Sequence, residues 1–233
     1  MNVEYLQQLR GSRELQDIEW AMCKKDPYYF LTNWALTLDV HDDETAIKSF
    51  PKKEYLQILC DIWLENRLLL IPKSRQMMIT WVCVGLYLWD TQFHGAKLTF
   101  FQSKKEDDAD DLVKRAKFIW DHEPFFLKRY QDPKTGLCPL EANPQNKGQH
   151  IFCKLGFPQI NSEIRGIPQG GEILRMHTAS GIFSDEMGFQ PEAKTAYTAS
   201  KPTISGKGRF TGVSTAEDGT FFEALVFDTQ EMI

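Results

Sequence analysis

The clearest pattern in the chain is Leu68, Leu69, Leu70 and Ile71, then a polar turn from Pro72 to Gln76, then the almost unbroken apolar stretch Trp81 to Trp89. Four apolar residues predict a buried strand, and the longer stretch predicts a helix sunk between other layers. Upstream, residues 5–39 read as mostly helical. Leu6, Leu9, Leu15, Ile18 and Met22 make an imperfect inward stripe, and Asp26-Pro27 supplies a cap with proline in the first turn. Residues 39–48, with four acids around His41, read as an exposed loop. Phe50-Pro51 restarts a helix with Tyr55, Ile58, Leu59, Ile62 and Trp63 facing inward.

Downstream, residues 97–101 predict a second strand. Ser103 is a candidate cap for a helix that is acidic from Glu106 to Asp111 and basic at Lys114, Arg115 and Lys117, an order that suits the helix dipole. That charge run reads as a solvated face, with Leu112, Ala116 and Ile119 buried. Residues 131–149 read as an excursion or small hairpin. Ile151-Phe152-Cys153 and residues 162–167 predict paired strands, Gly181 to Glu186 and Arg209 to Thr215 predict two more, and residues 191–200 predict a short helix. Strands separated by helices imply a mainly parallel sheet.

At 233 residues and 42% hydrophobic content, the chain can bury one large core or two small ones. Its formal charge of -5 offers no global attraction to nucleic acid. Five scattered cysteines lack metal-ligand spacing, so free thiols in a reducing compartment are expected. No stretch reaches the roughly 20 apolar residues of a membrane span, and no signal-type start is present. A soluble, cytoplasmic-type protein is expected. The chain stops soon after an apolar segment, as a truncated or detached domain would.

Strand, turn and helix are the setting of a phosphate-binding loop, in which backbone N–H groups and the helix N-terminus converge on an anion. The usual Gly-Lys-Ser/Thr ending is replaced by Met78-Ile79-Thr80. The hydroxyl of Thr80 remains available to magnesium, and a lysine stands seven residues earlier, at Lys73. An ordinary strand-to-helix connection with a charged turn is the plain alternative. Asp185-Glu186 closes a later apolar strand, where a nucleotide hydrolase needs one acid for magnesium and another to orient water. Ser214-Thr215-Ala216 closes the next, with small hydroxyls that can sense a terminal phosphate. All three sit at C-terminal strand ends, where parallel sheets bind ligands.

From about Asp26 onward the chain resembles the ATPase domain of the large terminase subunit of tailed bacteriophages. The resemblance is carried by Asp26-Pro27-Tyr28-Tyr29-Phe30 with Asn33-Trp34, by Phe50-Pro51-Lys52-Lys53-Glu54, and by Ser74-Arg75-Gln76. It continues in Leu174-Arg175, in Ile182 to Glu186, in Ser214-Thr215-Ala216 and in Gly219-Thr220-Phe221-Phe222. It implies a P-loop NTPase of the additional-strand (ASCE) type, with residues 65–233 as the core and 1–64 as a helical lid region packed on it. The family's C-terminal nuclease domain is expected to be absent, and with it DNA cleavage.

The resemblance further implies magnesium-dependent hydrolysis of ATP that drives double-stranded DNA into a procapsid. Nucleotide would be held by Lys73, Ser74, Arg75, Gln76, Met77, Met78, Ile79 and Thr80, with lysine at the front of the loop as in some terminases. Magnesium would be held by Thr80 and Asp185, and water oriented by Glu186. Arg175, eleven residues before Glu186, would be a finger acting in trans on a neighbour's nucleotide. Ser214, Thr215 and Ala216 would couple hydrolysis to motion. Where the family often reads adenine with glutamine this chain has Lys53, and Gln57 stands one turn on.

The implied partners are double-stranded DNA, a portal protein, a small terminase subunit and further copies in a ring, expected to be a pentamer. The isolated domain would be a monomer. The implied location is the host cytoplasm, docked transiently on the procapsid. Met77, Met78 and Ile79 remove glycine freedom, so the loop must curve through residues that disfavour positive φ. A helicase-like nucleic-acid-stimulated ATPase and a silent assembly module are the alternatives.

Overall fold

Phe100 and Phe101 are neighbours in one strand, point to opposite faces and are both fully buried, so that strand is covered by helices on both sides. The structure is a computed structural model that describes residues 3–39, 45–143, 153–215 and 217–227. The N-terminal portion contains α1 (Val3–Gly11), α2 (Arg13–Lys25), α3 (Pro27–Trp34), a hairpin of β1 (Leu36–Leu38) and β2 (Ile47–Ser49), and α4 (Glu54–Glu65). Then follow β3 (Leu68–Lys73), α5 (Ile79–Phe93), β4 (Leu98–Ser103), α6 (Glu106–His122) and a second hairpin, β5 (Arg129–Asp132) with β6 (Gly136–Pro139). The remainder is β7 (Lys154–Phe157), β8 (Ser162–Pro168), α7 (Glu172–Met176), β9 (Gly181–Asp185), α8 (Ala193–Ser205), β10 (Arg209–Thr215) and α9 (Phe221–Phe227).

Six strands form one sheet in the order β3-β10-β9-β4-β8-β7, parallel except for the last pair. A strand, β10, thus separates the loop strand β3 from the acid-bearing β9, which is the additional-strand arrangement. Phe101, Phe183 and Val213 face the layer of α5 and α6, while Phe100, Ile182 and Phe210 face the layer of α7, α8 and α9. The first of these clusters runs without a break from Leu9 through Trp63 to Val213, so it crosses the boundary at residue 64. At that boundary the Arg209 guanidinium lies 3.7 Å from the Trp63 ring centroid and donates to the carbonyls of Trp63 and Asn66. A cation there satisfies carbonyls at the α4 C-terminus and completes its dipole.

Local signals explain most boundaries. Asp26 accepts from the Tyr29 N–H at 3.0 Å with Pro27 in the first turn of α3, as its sequence requires. Asp26→Ala should lower stability by about 1 kcal/mol; an unchanged urea midpoint would show the cap to be idle.

Several expectations are corrected. Ile18 and Met22 are exposed, and α2 instead buries Gln16, Glu19, Trp20 and Cys23, with Trp20 set edge-on to Phe93 of α5. Ile58 and Ile62 are exposed as well, because α4 packs through Leu56, Leu59, Cys60 and Trp63. Leu68 to Ile71 are only half-buried, since β3 is an edge strand. Ser103 ends a strand rather than capping α6, whose cap position is Lys105. The strand expected from Ile151 begins at Lys154; Ile151 and Phe152 lie outside the described residues. All five cysteines are unpaired, and no helix among the described residues is long and apolar enough to cross a membrane.

Candidate active site

Parallel pairing aligns the chemistry. Thr215 of β10 is in register with Lys73 of β3, and Val213 with Asp185 of β9, so the ends of three strands meet at one edge of the sheet. The turn from β3 into α5 exposes residues 74–77, and it bends through Gln76 (φ 63) and Met78 (φ 58). Two left-handed residues that are not glycine cost on the order of 1 kcal/mol each. The missing glycines are therefore replaced by strain, held in place by the Val82 N–H on the Met78 carbonyl and by the Tyr55 hydroxyl on the Met77 carbonyl.

The two successive acids take different partners. The Lys73 Nζ donates to Glu186 Oε1 at 2.8 Å, and its side chain is only 10% exposed. The Thr80 hydroxyl donates to Asp185 Oδ1 at 3.1 Å, and the Thr215 hydroxyl to Glu186 Oε2 at 3.2 Å. Glu186 itself adopts a left-handed backbone (φ 50), which turns it out of the strand that carries Asp185. Burial, with Glu186 beside it, raises the Asp185 carboxyl to about 6 against the pull of Lys73 and Thr80. The Thr80 hydroxyl and Asp185 carboxylate are hard oxygen donors of the kind magnesium takes beside substrate phosphates, so the residues present fit that ion. Among the described residues no group of three His, Cys, Asp or Glu is placed to hold a metal unaided.

A cleft of about 540 Å³ opens over these residues, lined by Arg75, Thr80, Asp185, Glu186 and Thr215 on one side. Its other wall is α6 and the end of β4: Ser103, Lys104, Asp108, Asp111 and Arg115. This wall was not expected from the sequence. Parallel pairing of β4 with β9 is the signal that could have found it, because it carries the end of β4 to the same edge as Asp185. Gln76 and Met78 turn to a second cavity, of about 680 Å³, which they share with Trp81, Leu38, Pro51 and the Asp39–Lys48 ion pair. Ser74 and Met77 are exposed, and Ile79 is buried in the core.

Other expected residues stand apart. Lys53 and Gln57 are exposed on α4 and line neither cavity. Arg175 is exposed on α7, in the layer on the opposite side of the sheet from α6. It lines a separate depression with His177 and Thr198, so it does not reach the cleft of its own chain. Ser214 is buried and accepts from the Gly188 N–H at 3.0 Å, just beyond the acids. Ala216 lies outside the described residues.

The sequence matches no family model and no curated protein. The fold does have solved counterparts. The HK97 bacteriophage large terminase superposes with a TM-score of 0.63 at 11% identity, covering 90% of this chain and 41% of its own. The large terminase from a thermophilic bacteriophage gives 0.50 at 10% identity, covering 71% and 39%. This chain thus has the α/β P-loop NTPase fold of phage large terminases, and it spans about two fifths of their length.

Proposed function

We propose that this chain binds ATP with magnesium in the cleft and hydrolyses it as the ATPase part of a large terminase subunit, driving double-stranded DNA into a procapsid. One observation carries the reading: Lys73 and Thr80, from the two ends of a strand–turn–helix loop, contact Glu186 and Asp185, consecutive acids at the end of the neighbouring acid strand. That pairing is the preformed core of a phosphoryl-transfer site. Lys73 exchanges Glu186 for the beta and gamma phosphates, with Ser74 to Thr80 wrapping them through backbone N–H groups. Glu186, released, orients water in line with the gamma phosphorus. The new P–O bond forms as the bond to the bridging oxygen breaks, leaving ADP and phosphate. Magnesium, when bound at Thr80 and Asp185, screens the phosphate charge.

The purine is assigned to the flank of the loop lined by Met78 and Trp81; Lys53 and Gln57, which line neither cavity, are given no part in reading it. Thr215 senses the change at Glu186, and Ser214 and Ala216 complete the coupling segment. Residues 1–64 serve as lid and 65–233 as catalytic core. Arg175 points out of its own chain's cleft layer, which suits action on a neighbour in a homo-oligomeric ring. Portal protein and small terminase subunit are the further partners, at the procapsid in the host cytoplasm.

The test is ATP binding and phosphate release by wild type and Lys73→Ala in magnesium buffer. Binding should weaken at least about a hundredfold and turnover should vanish, as loss of a buried charge-assisted contact implies. Turnover unchanged in the mutant would remove the reading. A wild type that binds no ATP at millimolar concentration would identify a silent assembly module instead.

A further inference from the structure

The cleft contains a cation that the proposed chemistry has not used. Helix α6 carries three basic residues close together, and two are spoken for. Lys114 is paired with Asp110 at 3.0 Å and Asp111 at 2.9 Å, and Lys117 with Asp121. Arg115 lines the cleft together with Thr80, Asp185, Glu186 and Thr215. Among the described residues its guanidinium makes no hydrogen bond or ion pair. Its guanidinium carbon lies 5.5 Å from the indole centroid of Trp81, the residue directly after Thr80. The indole is fixed in turn by Phe118, edge-on at 6.1 Å and one turn further along α6.

A guanidinium laid on an aromatic ring keeps its N–H rim available while its plane is held. Such a group, half-buried and facing a cavity large enough for a triphosphate, is pre-organised for a bidentate anion. It lines the cleft with Thr80, Asp185, Glu186 and Thr215, and this place beside the two acids selects the terminal phosphate. Phosphates nearer the base lie against the loop itself.

We propose that Arg115 is a catalytic arginine supplied in cis, donating to the gamma-phosphate oxygens and stabilising their charge as the bridging bond breaks, with Trp81 positioning it. The inference rests on the nucleotide reading above. It also adds to it, because the cleft then contains a transition-state cation without a neighbouring subunit, and the lone chain is expected to show a basal hydrolysis rate independent of protein concentration, to which a neighbour's Arg175 adds only on assembly.

The experiment compares wild type, Arg115→Ala, Arg115→Lys and Lys73→Ala, with Kd for ATP and for ADP and single-turnover hydrolysis as readouts. Arg115→Ala should weaken ATP about tenfold, leave ADP within about twofold and slow hydrolysis by about a hundredfold or more. Arg115→Lys keeps the stem packed on Trp81, guarding against a folding defect, but lacks the fork and should recover little of the rate. Equal loss of ATP and ADP affinity, or hydrolysis within threefold of wild type in both variants, overturns the assignment. If Lys73→Ala loses ATP while the Arg115 variants behave as wild type, this inference alone fails. If wild type binds neither nucleotide, both readings fall.

Discussion

Glu186→Gln is expected to stop phosphate release while ATP still binds, and binds more tightly than to wild type. In the resting cleft the Glu186 carboxylate is shared between Lys73 at 2.8 Å and the Thr215 hydroxyl at 3.2 Å. Incoming phosphate must take Lys73 from that carboxylate, so part of the binding free energy goes into breaking an ion pair. An amide keeps the shape and the hydrogen bond from Thr215 but removes the charge, leaving the ammonium group free for phosphate. Affinity should rise several-fold. On the proposed mechanism the same change removes the group that orients water, a role whose loss costs roughly 10² to 10⁴ in rate. Titration with ATP and a phosphate-release assay check both halves. Hydrolysis within tenfold of wild type would show that another group orients the water.

The second large effect lies far from the cleft. Glu123 closes α6, is almost fully buried, and accepts from the Gln92 amide of α5 at 3.0 Å. Its other oxygen and the Gln92 oxygen are both buried without a partner, an arrangement that a carboxyl proton would satisfy. Burial raises this acid to about 8, despite the Gln92 hydrogen bond and nearby Lys128. Between its ordinary 4.5 and 8 the folded chain therefore holds a proton that the unfolded chain has released. The folded state binds more protons in that window, so its stability falls as pH rises through it, by on the order of 5 kcal/mol in total. Glu123→Gln mimics the protonated form, and its amide can donate to the Gln92 oxygen. The variant should match wild type near pH 5 and exceed it increasingly towards pH 8 in urea midpoint. Parallel pH profiles would mean that Glu123 is ionised in the fold.

Much of the architecture was legible beforehand, and the reasons are local. Apolar runs ending in Lys73, Asp185-Glu186 and Thr215 are strands that end in polar residues, and parallel pairing needs only that order to bring the three ends together. Asp26-Pro27 marks a helix start by chemistry alone. What escaped was set by tertiary packing. Helix α4 is apolar on several sides, so its period gave Leu59 and Trp63 to the core but could not say that Leu56 and Cys60 would win it over Ile58 and Ile62. An apolar run such as Leu68 to Ile71 does not reveal whether a second strand flanks it. Arg115 was hidden among pairs that do solvate, because charge order along a helix says nothing of which base faces a cleft.

Strand β10 is anchored at both ends to different parts of the molecule. Arg209 at its start is clasped to the last turn of α4, and Thr215 at its finish rests on Glu186. Hydrogen-bonded on either flank, it behaves as a stiff rod between them. On the proposed hydrolysis, a displacement of the acid as phosphate leaves would be passed along this strand to the end of α4 rather than absorbed within it.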